Sequence, residues 1–182
     1  HIRILERIIE FNCINYDYTI IHIILTTKFQ SLDHFFRLLL DKSNDIIENN
    51  AYARLWDNET LIPQLDLYLI WHFDNKAKRT SLKDCEMAMR FPNLQSFPSN
   101  HLFTKKEIQF MLDYNRNDVQ ATKQLYLITK GLTDHPLYKD DDKIQLRKNI
   151  SKEYGIQCIN YNDVKIGDEI NKLTYLKLSG KK

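Results

Sequence analysis

Residues 8–25, IIEFNCINYDYTIIHIIL, change their hydrophobic period partway along. Ile8, Ile9 and Phe11 form a short apolar run of the kind a buried strand carries, whereas Ile20, Ile21, Ile24 and Leu25 recur at helical spacing. Strand, short loop, helix is the expected order. Asp17 stands between two tyrosines at the mouth of that helix, with Ile21 and Ile24 on roughly its own face. A carboxylate directed inward is costly unless it is hydrogen-bonded, paired or bound to a cation, so its position asks for a partner.

Working outward, Ser31 to Leu40 predicts a second helix with Ser31 as N-cap, Asp33 in the first turn and Phe35, Leu38 and Leu39 on one face. The polar stretch 41–50 reads as a loop. After Pro63, QLDLYLIWHF alternates Leu65, Leu67 and Leu69 with Asp66, Tyr68 and Ile70, a period of two that predicts a strand. Ser81 opens SLKD, a capping-box start for a helix carrying Leu82, Cys85 and Met89 and ending before Pro92. PNLQSFPSN is loop, and T-x-x-E at Thr104–Glu107 starts a long helix that runs to about Lys130, with Gly131 as its stop. DHPLYKDDD reads as a boundary, and Ile144, Leu146 and Ile150 as a short helical pattern beyond it. Alternating strands and helices predict a layered α/β fold, divided into a domain over 1–134 and a connector or start of a following domain over 135–182.

With 182 residues, 43% hydrophobic and 27% charged, the composition is that of an ordinary globular chain. A net charge of +2 demands no nucleic acid, although 26 lysines and arginines could gather locally. Cys13, Cys85 and Cys158 lie far apart with no C-x-x-C, and the histidines add no zinc-like spacing, which fits a reducing compartment. No apolar run is long enough for a bilayer and no signal-peptide pattern opens the chain, so no membrane partner and a cytoplasmic setting are expected. The first residue is His1 rather than Met, and a fragment whose beginning is missing is the expectation.

On the long helix, YNRND places Tyr114 and Asp118 one turn apart on one face, at the edge of an apolar stripe expected to comprise Ile108, Met111, Val119, Thr122 and Tyr126. Taken singly, Y-x-x-x-D is a weak signal, because Asp118 paired with Arg79, Arg116 or a rim lysine would explain it as well. Asp17 alone could be a first-turn acid stabilising the helix dipole by about 0.3–1 kcal/mol. Two inward carboxylates from different helices can instead converge on a hard divalent cation such as Mg²⁺. Lys83, charged and near a helix start, could meet a phosphate, or be a solvated lysine beside Asp84. Lys76, Lys78 and Arg79 near Trp71 and Phe73 could follow a single strand and stack a base. Asp66 reads as a hydrogen-bonded structural acid, and Asp140–Asp142 as a solvated linker.

N-C-I-N-Y-D, Asn12 to Asp17, resembles the second motif of proofreading 3′-to-5′ exonucleases, an Asn followed shortly by an aromatic and Asp. Y-N-R-N-D-V, Tyr114 to Val119, is similar to their third motif, Y-x-x-x-D, with the D-V-x-A-T continuation of phage-type sequences, and SLKDCEMAMRFPNLQSFP resembles the intervening segment. Order and separation agree, and the likeness to the DEDDy branch of the RNase H-like exonucleases covers roughly residues 8–132. It implies an RNase H-like α/β fold with helices packed on a mixed sheet, its opening strands missing here.

The resemblance further implies a 3′-to-5′ exonuclease of a phage-type DNA polymerase or replication protein, acting in a bacterial or phage-infected cell. Asp17 and Asp118 would be catalytic, metal-holding carboxylates for two Mg²⁺ or Mn²⁺ ions, Tyr114 would orient the attacking water, and Asn12 would shape the substrate cleft; Lys83, by its own charge and place at a helix start, is the further substrate-binding candidate. The partners implied are a single-stranded DNA 3′ end and the other domains of the parent replication protein. The family's first motif, D-x-E, has no counterpart before Asn12, since Glu6 and Glu10 lack the preceding Asp at the right spacing. Efficient hydrolysis is therefore not expected of this chain by itself, and the alternative is a non-catalytic nucleic-acid-binding or scaffolding domain of the same fold.

Overall fold

A computed structural model describes residues 6–48, 55, 59–73, 80–96 and 104–180. They form an α/β structure that separates into two compact units, His1–Asp66 and Leu67–Lys182.

In the first unit, β1 (Ile8–Glu10) pairs in parallel with β2 (Gln64–Asp66), in the register Ile8 to Gln64, Ile9 to Leu65 and Glu10 to Asp66. A single turn of 3₁₀ helix at Cys13–Asn15 then leads into α1 (Asp17–Thr26), so the expected strand, loop and helix of residues 8–25 are present. Tyr18 is buried on α1, and its hydroxyl accepts the backbone N–H groups of Leu61 at 2.8 Å and Ile62 at 3.0 Å. One phenol thereby ties the helix to the segment entering β2 and satisfies two amides that burial would otherwise leave costly. Cys13, Ile62 and Leu65 complete this small core.

Helix α2 (Leu32–Glu48) packs on α1 and runs through 41–48, where the polar composition had predicted a loop. The polar residues lie on a helix surface instead. Lys42 and Asp45 pair one turn apart at 3.5 Å, and Ser43 bonds Tyr16 Oη at 2.7 Å. The strand expected over QLDLYLIWHF also stops early. Only Gln64–Asp66 is extended, and α3 (Leu67–Ile70) follows at once, burying Leu67 and Ile70 three residues apart. An apolar run with leucine at every second position contains that i, i+3 pair too, so period alone did not separate the two.

In the second unit α3 and α4 (Leu82–Ala88) pack against α5 (Lys105–Thr129). The α4 start is a full capping box, with Ser81 Oγ accepting from Asp84 N–H at 3.1 Å and Asp84 Oδ2 accepting from Ser81 N–H at 2.7 Å. At α5 the Glu107 carboxylate accepts both the N–H and the hydroxyl of Thr104. Gly131, just past the helix, has φ +70°, and a Cβ there would lie 2.6 Å from the backbone nitrogen of Asp141, so the stop needs glycine twice over.

Residues 135–182 supply α6 (Lys143–Tyr154) and α7 (Asp163–Ser179), the second of which the sequence had left unassigned. Arg147 on α6 is fully buried and donates to the carbonyls of Tyr161, Lys143 and Ile70 and to Asp163 Oδ1, joining both helices to the end of α3. Asp140–Asp142 is more than a solvated linker: Asp142 caps α6 by accepting from Ile144 and Gln145 N–H and pairs with Lys130, while Asp141 pairs with Lys143. All three cysteines are free and buried. Among the described residues, no helix is long and apolar enough to cross a membrane.

Candidate functional site

The sequence-predicted residues fall into two groups, one in each unit. In the first, Asn12 has a left-handed backbone, φ 63°, a conformation asparagine tolerates better than most residues. Its N–H donates to Asp66 Oδ1 at 2.9 Å, the N–H of Ile14 donates to Asp66 Oδ2 at 3.1 Å, and Asn15 Nδ2 donates to Asn12 Oδ1 at 2.8 Å. Asp66 is fully buried. Its two oxygens therefore clamp the turn that delivers Asp17 to the start of α1, the structural role expected for this acid.

Asp17 is solvent-exposed as a residue, yet its carboxyl is held above the usual range, first by partial burial and then by Asp66, against a lowering backbone hydrogen bond. Glu10, side by side with Asp66 in the sheet register, is pushed up to about 7 by burial, with Asp17 and Asp66 adding repulsion. Its Oε2 is buried with no hydrogen-bond partner among the described residues. Burial lifts the Cys13 thiol far above its ordinary value, so this neighbour remains neutral. Glu10 had not been singled out from sequence, since it lacked the Asp of a D-x-E.

In the second unit Tyr114 and Asp118 lie one turn apart on the same face of α5, close enough for each to shift the titration of the other. Burial holds the Tyr114 phenol up, with Asp118 adding to the effect, so it stays a protonated donor at neutral pH. Asp118 is raised by burial first and by Glu86 second, while Lys83 and the Tyr114 hydroxyl pull it down. Arg116, one of the partners weighed for it, pairs with Asp113 at 2.7 Å instead.

The stripe that positions this pair differs from the expected one. Val119 is 59% exposed and Ile108 47%, whereas Asn117, Ala121, Leu125 and Thr129 are buried. These four recur every four residues and include only two apolar side chains, so a search for hydrophobic residues missed the most deeply buried line, while Met111, Thr122 and Tyr126 of the expected stripe are half-buried.

Across from it on α4, Lys83 Nζ lies 2.6 Å from Glu86 Oε2 and 5.7 Å from the centroid of the Tyr114 ring. Lys83 is 29% exposed by its side chain, and Glu86 is fully buried. Glu86 is the residue that sequence reasoning missed. Its signal was present, because Leu82, Cys85 and Met89 define an apolar stripe whose remaining i+4 position is Glu86.

Trp71, proposed for base stacking, is engaged within its own unit. Its Nε1 donates to Thr129 Oγ1 at 2.8 Å, Phe73 stacks on it, Tyr138 meets it edge-on, and Lys143 sits 5.1 Å from the ring centroid. The basic cluster Lys76, Lys78 and Arg79 lies outside the described residues.

Chemically, the first group offers closely spaced carboxylates whose mutual repulsion a cation would relieve, and the second offers an ammonium, a phenol and a carboxylate suited to a phosphate and a water. Among the described residues, no three of His, Cys, Asp and Glu are gathered so as to hold a metal ion. In comparison with known proteins, the chain matches no family model, no curated protein and no solved structure.

Proposed function

We propose that the chain is a 3′-to-5′ exonuclease domain of the DEDDy type, with an RNase H-like fold, from a phage-type DNA polymerase or replication protein. It would hydrolyse phosphodiester bonds at single-stranded DNA 3′ ends. The observation that carries this proposal is the Lys83 ammonium on α4 set 5.7 Å from the centroid of the Tyr114 ring on α5, with Asp118 one turn along the same helix. Support also comes from the Asn12–Asp17 turn, which Asp66 fixes by two backbone hydrogen bonds.

Carboxylate oxygens are the kind of donor that Mg²⁺ or Mn²⁺ takes, and by the motif resemblance Asp17 and Asp118 would each supply one. When bound, the ions lower the pKa of a water and stabilise the leaving oxygen. The chain's own residues do the rest. Lys83 neutralises a phosphate oxygen, the Tyr114 hydroxyl orients a water by hydrogen bonding, and Asn12 shapes the entry to α1. A non-catalytic nucleic-acid-binding or scaffolding domain of the same fold is the second reading, which needs only the Lys83 ammonium beside the Tyr114 ring and no bound ion.

The test is Mg²⁺-dependent release of mononucleotides from 5′-labelled single-stranded DNA, by the chain and by the longest product of its gene. Asp118→Ala is expected to lower the rate by at least about 100-fold, the upper end of what loss of a ligand-supporting group costs. Degradation unchanged by Asp118→Ala sinks the site assignment. Binding without hydrolysis by the longest gene product selects the second reading.

A further inference from the structure

Glu86 has no place in the motif resemblance, yet it is the most deeply buried charge beside Asp118. Its Oε2 is held by Lys83 at 2.6 Å, and its Oε1 is buried without a hydrogen-bond partner among the described residues. A carboxylate buried at both oxygens depends on the cation that pairs with it, which among the described residues is Lys83. That dependence is mutual in geometry: Lys83 is a long, flexible side chain near the surface, and a fully buried anion one turn along the same helix restricts where its ammonium can go. The position in which it is held is over the Tyr114 ring, beside Asp118.

We propose that Glu86 is a positioning residue that anchors the Lys83 ammonium at the Tyr114–Asp118 face, where it meets a phosphate of a single-stranded nucleic acid. The proposal rests on the exonuclease reading only in taking Lys83 as a phosphate contact. Without Glu86, Lys83 is free to swing into solvent or to pair directly with Asp118, and in either case the phosphate loses it. Simple charge counting gives the opposite sign, because deleting an acid beside a lysine makes the surface more attractive to an anion.

The experiment measures binding of a 5′-labelled oligothymidylate to the full chain, with Ca²⁺ in place of Mg²⁺, across a salt series. Each phosphate contact contributes about 0.7 to the slope of log K against log salt for a single strand. Lys83→Met is expected to lower the slope by about that much and to weaken binding uniformly over sequences. Glu86→Gln is expected to do the same, although it removes a negative charge, and Lys83→Met/Glu86→Gln to bind no more weakly than Lys83→Met. The double variant leaves no unpaired buried charge, so it reports on a folded chain even where a single variant does not.

If Lys83→Met lowers the slope while Glu86→Gln leaves it unchanged or tightens binding, the positioning role is overturned and the phosphate-contact reading stands. Losses that multiply in the double variant overturn it as well. If Lys83→Met itself leaves the slope unchanged, or the chain does not bind the oligonucleotide, the phosphate reading fails and takes the proposal with it.

Discussion

The two acid groups solve the same electrostatic problem by different means. In the first unit Asp66 is stabilised by the backbone, its two oxygens accepting from the N–H groups of Asn12 and Ile14. In the second unit Glu86 is neutralised by a side chain, the Lys83 ammonium. Backbone donors are fixed by the path of the chain and cannot be given up without unmaking a turn. A lysine is tethered by single bonds and can be shared with a ligand. The first arrangement is that of a scaffold, and the second that of a site able to exchange partners.

The largest expected effect is on the scaffold. Asp66→Ala strips two amides of their acceptor in a half-buried turn, and charge-assisted bonds of this kind are worth about 1.5–3 kcal/mol each. A loss of about 3–4 kcal/mol is expected by urea unfolding, with Asp66→Asn losing about half as much because one carbonyl oxygen remains. A loss below about 1 kcal/mol would show that the turn is held by other contacts and would erase the contrast between the groups.

Next in size is a pH effect confined to the first group. Glu10 titrates near 7 in the folded chain against an ordinary value of 4.5, so between those values the native state binds the extra proton. Stability is therefore full below about 4.5 and falls as pH rises through about 7, by at most about 3 kcal/mol. Asp17, also raised, has the same sign. Urea midpoints at pH 5 and 7.5 should show the decline, and Glu10→Gln should flatten most of it. A wild-type midpoint that does not fall over this range contradicts the burial and repulsion assigned to Glu10.

What the sequence made legible follows the same division. The switch from strand to helix over residues 8–25 was readable because its apolar spacing changes, and the helix starts at Ser81 and Thr104 because capping residues act locally. Helix α2 beyond Leu40 was misread because DKSND is polar, and polarity marks an exposed helix face as readily as a loop. The buried face of α5 was misread for the converse reason, since Asn117 and Thr129 are polar yet inside. Asp17, Tyr114 and Asp118 could be named from motif and helical spacing. Glu86 required the same question that had been put to Asp118, why an acid occupies an apolar stripe.

The smallest expected effect on the fold is the most specific to the second group. Tyr114→Phe keeps the ring under Lys83 and removes only the hydroxyl, so stability should change by about 1 kcal/mol or less. The neighbouring hydroxyl holds the Asp118 carboxyl down against burial and Glu86, so its removal should move the Asp118 titration to higher pH. Carboxyl ¹³C NMR reads that shift directly. Glu86→Gln should move it the other way, because it removes the like charge that raises it. Opposite shifts would establish that Tyr114, Glu86 and Asp118 share one electrostatic environment. An Asp118 titration indifferent to both substitutions would separate the carboxylate from its neighbours and leave the second group as packing around a surface acid.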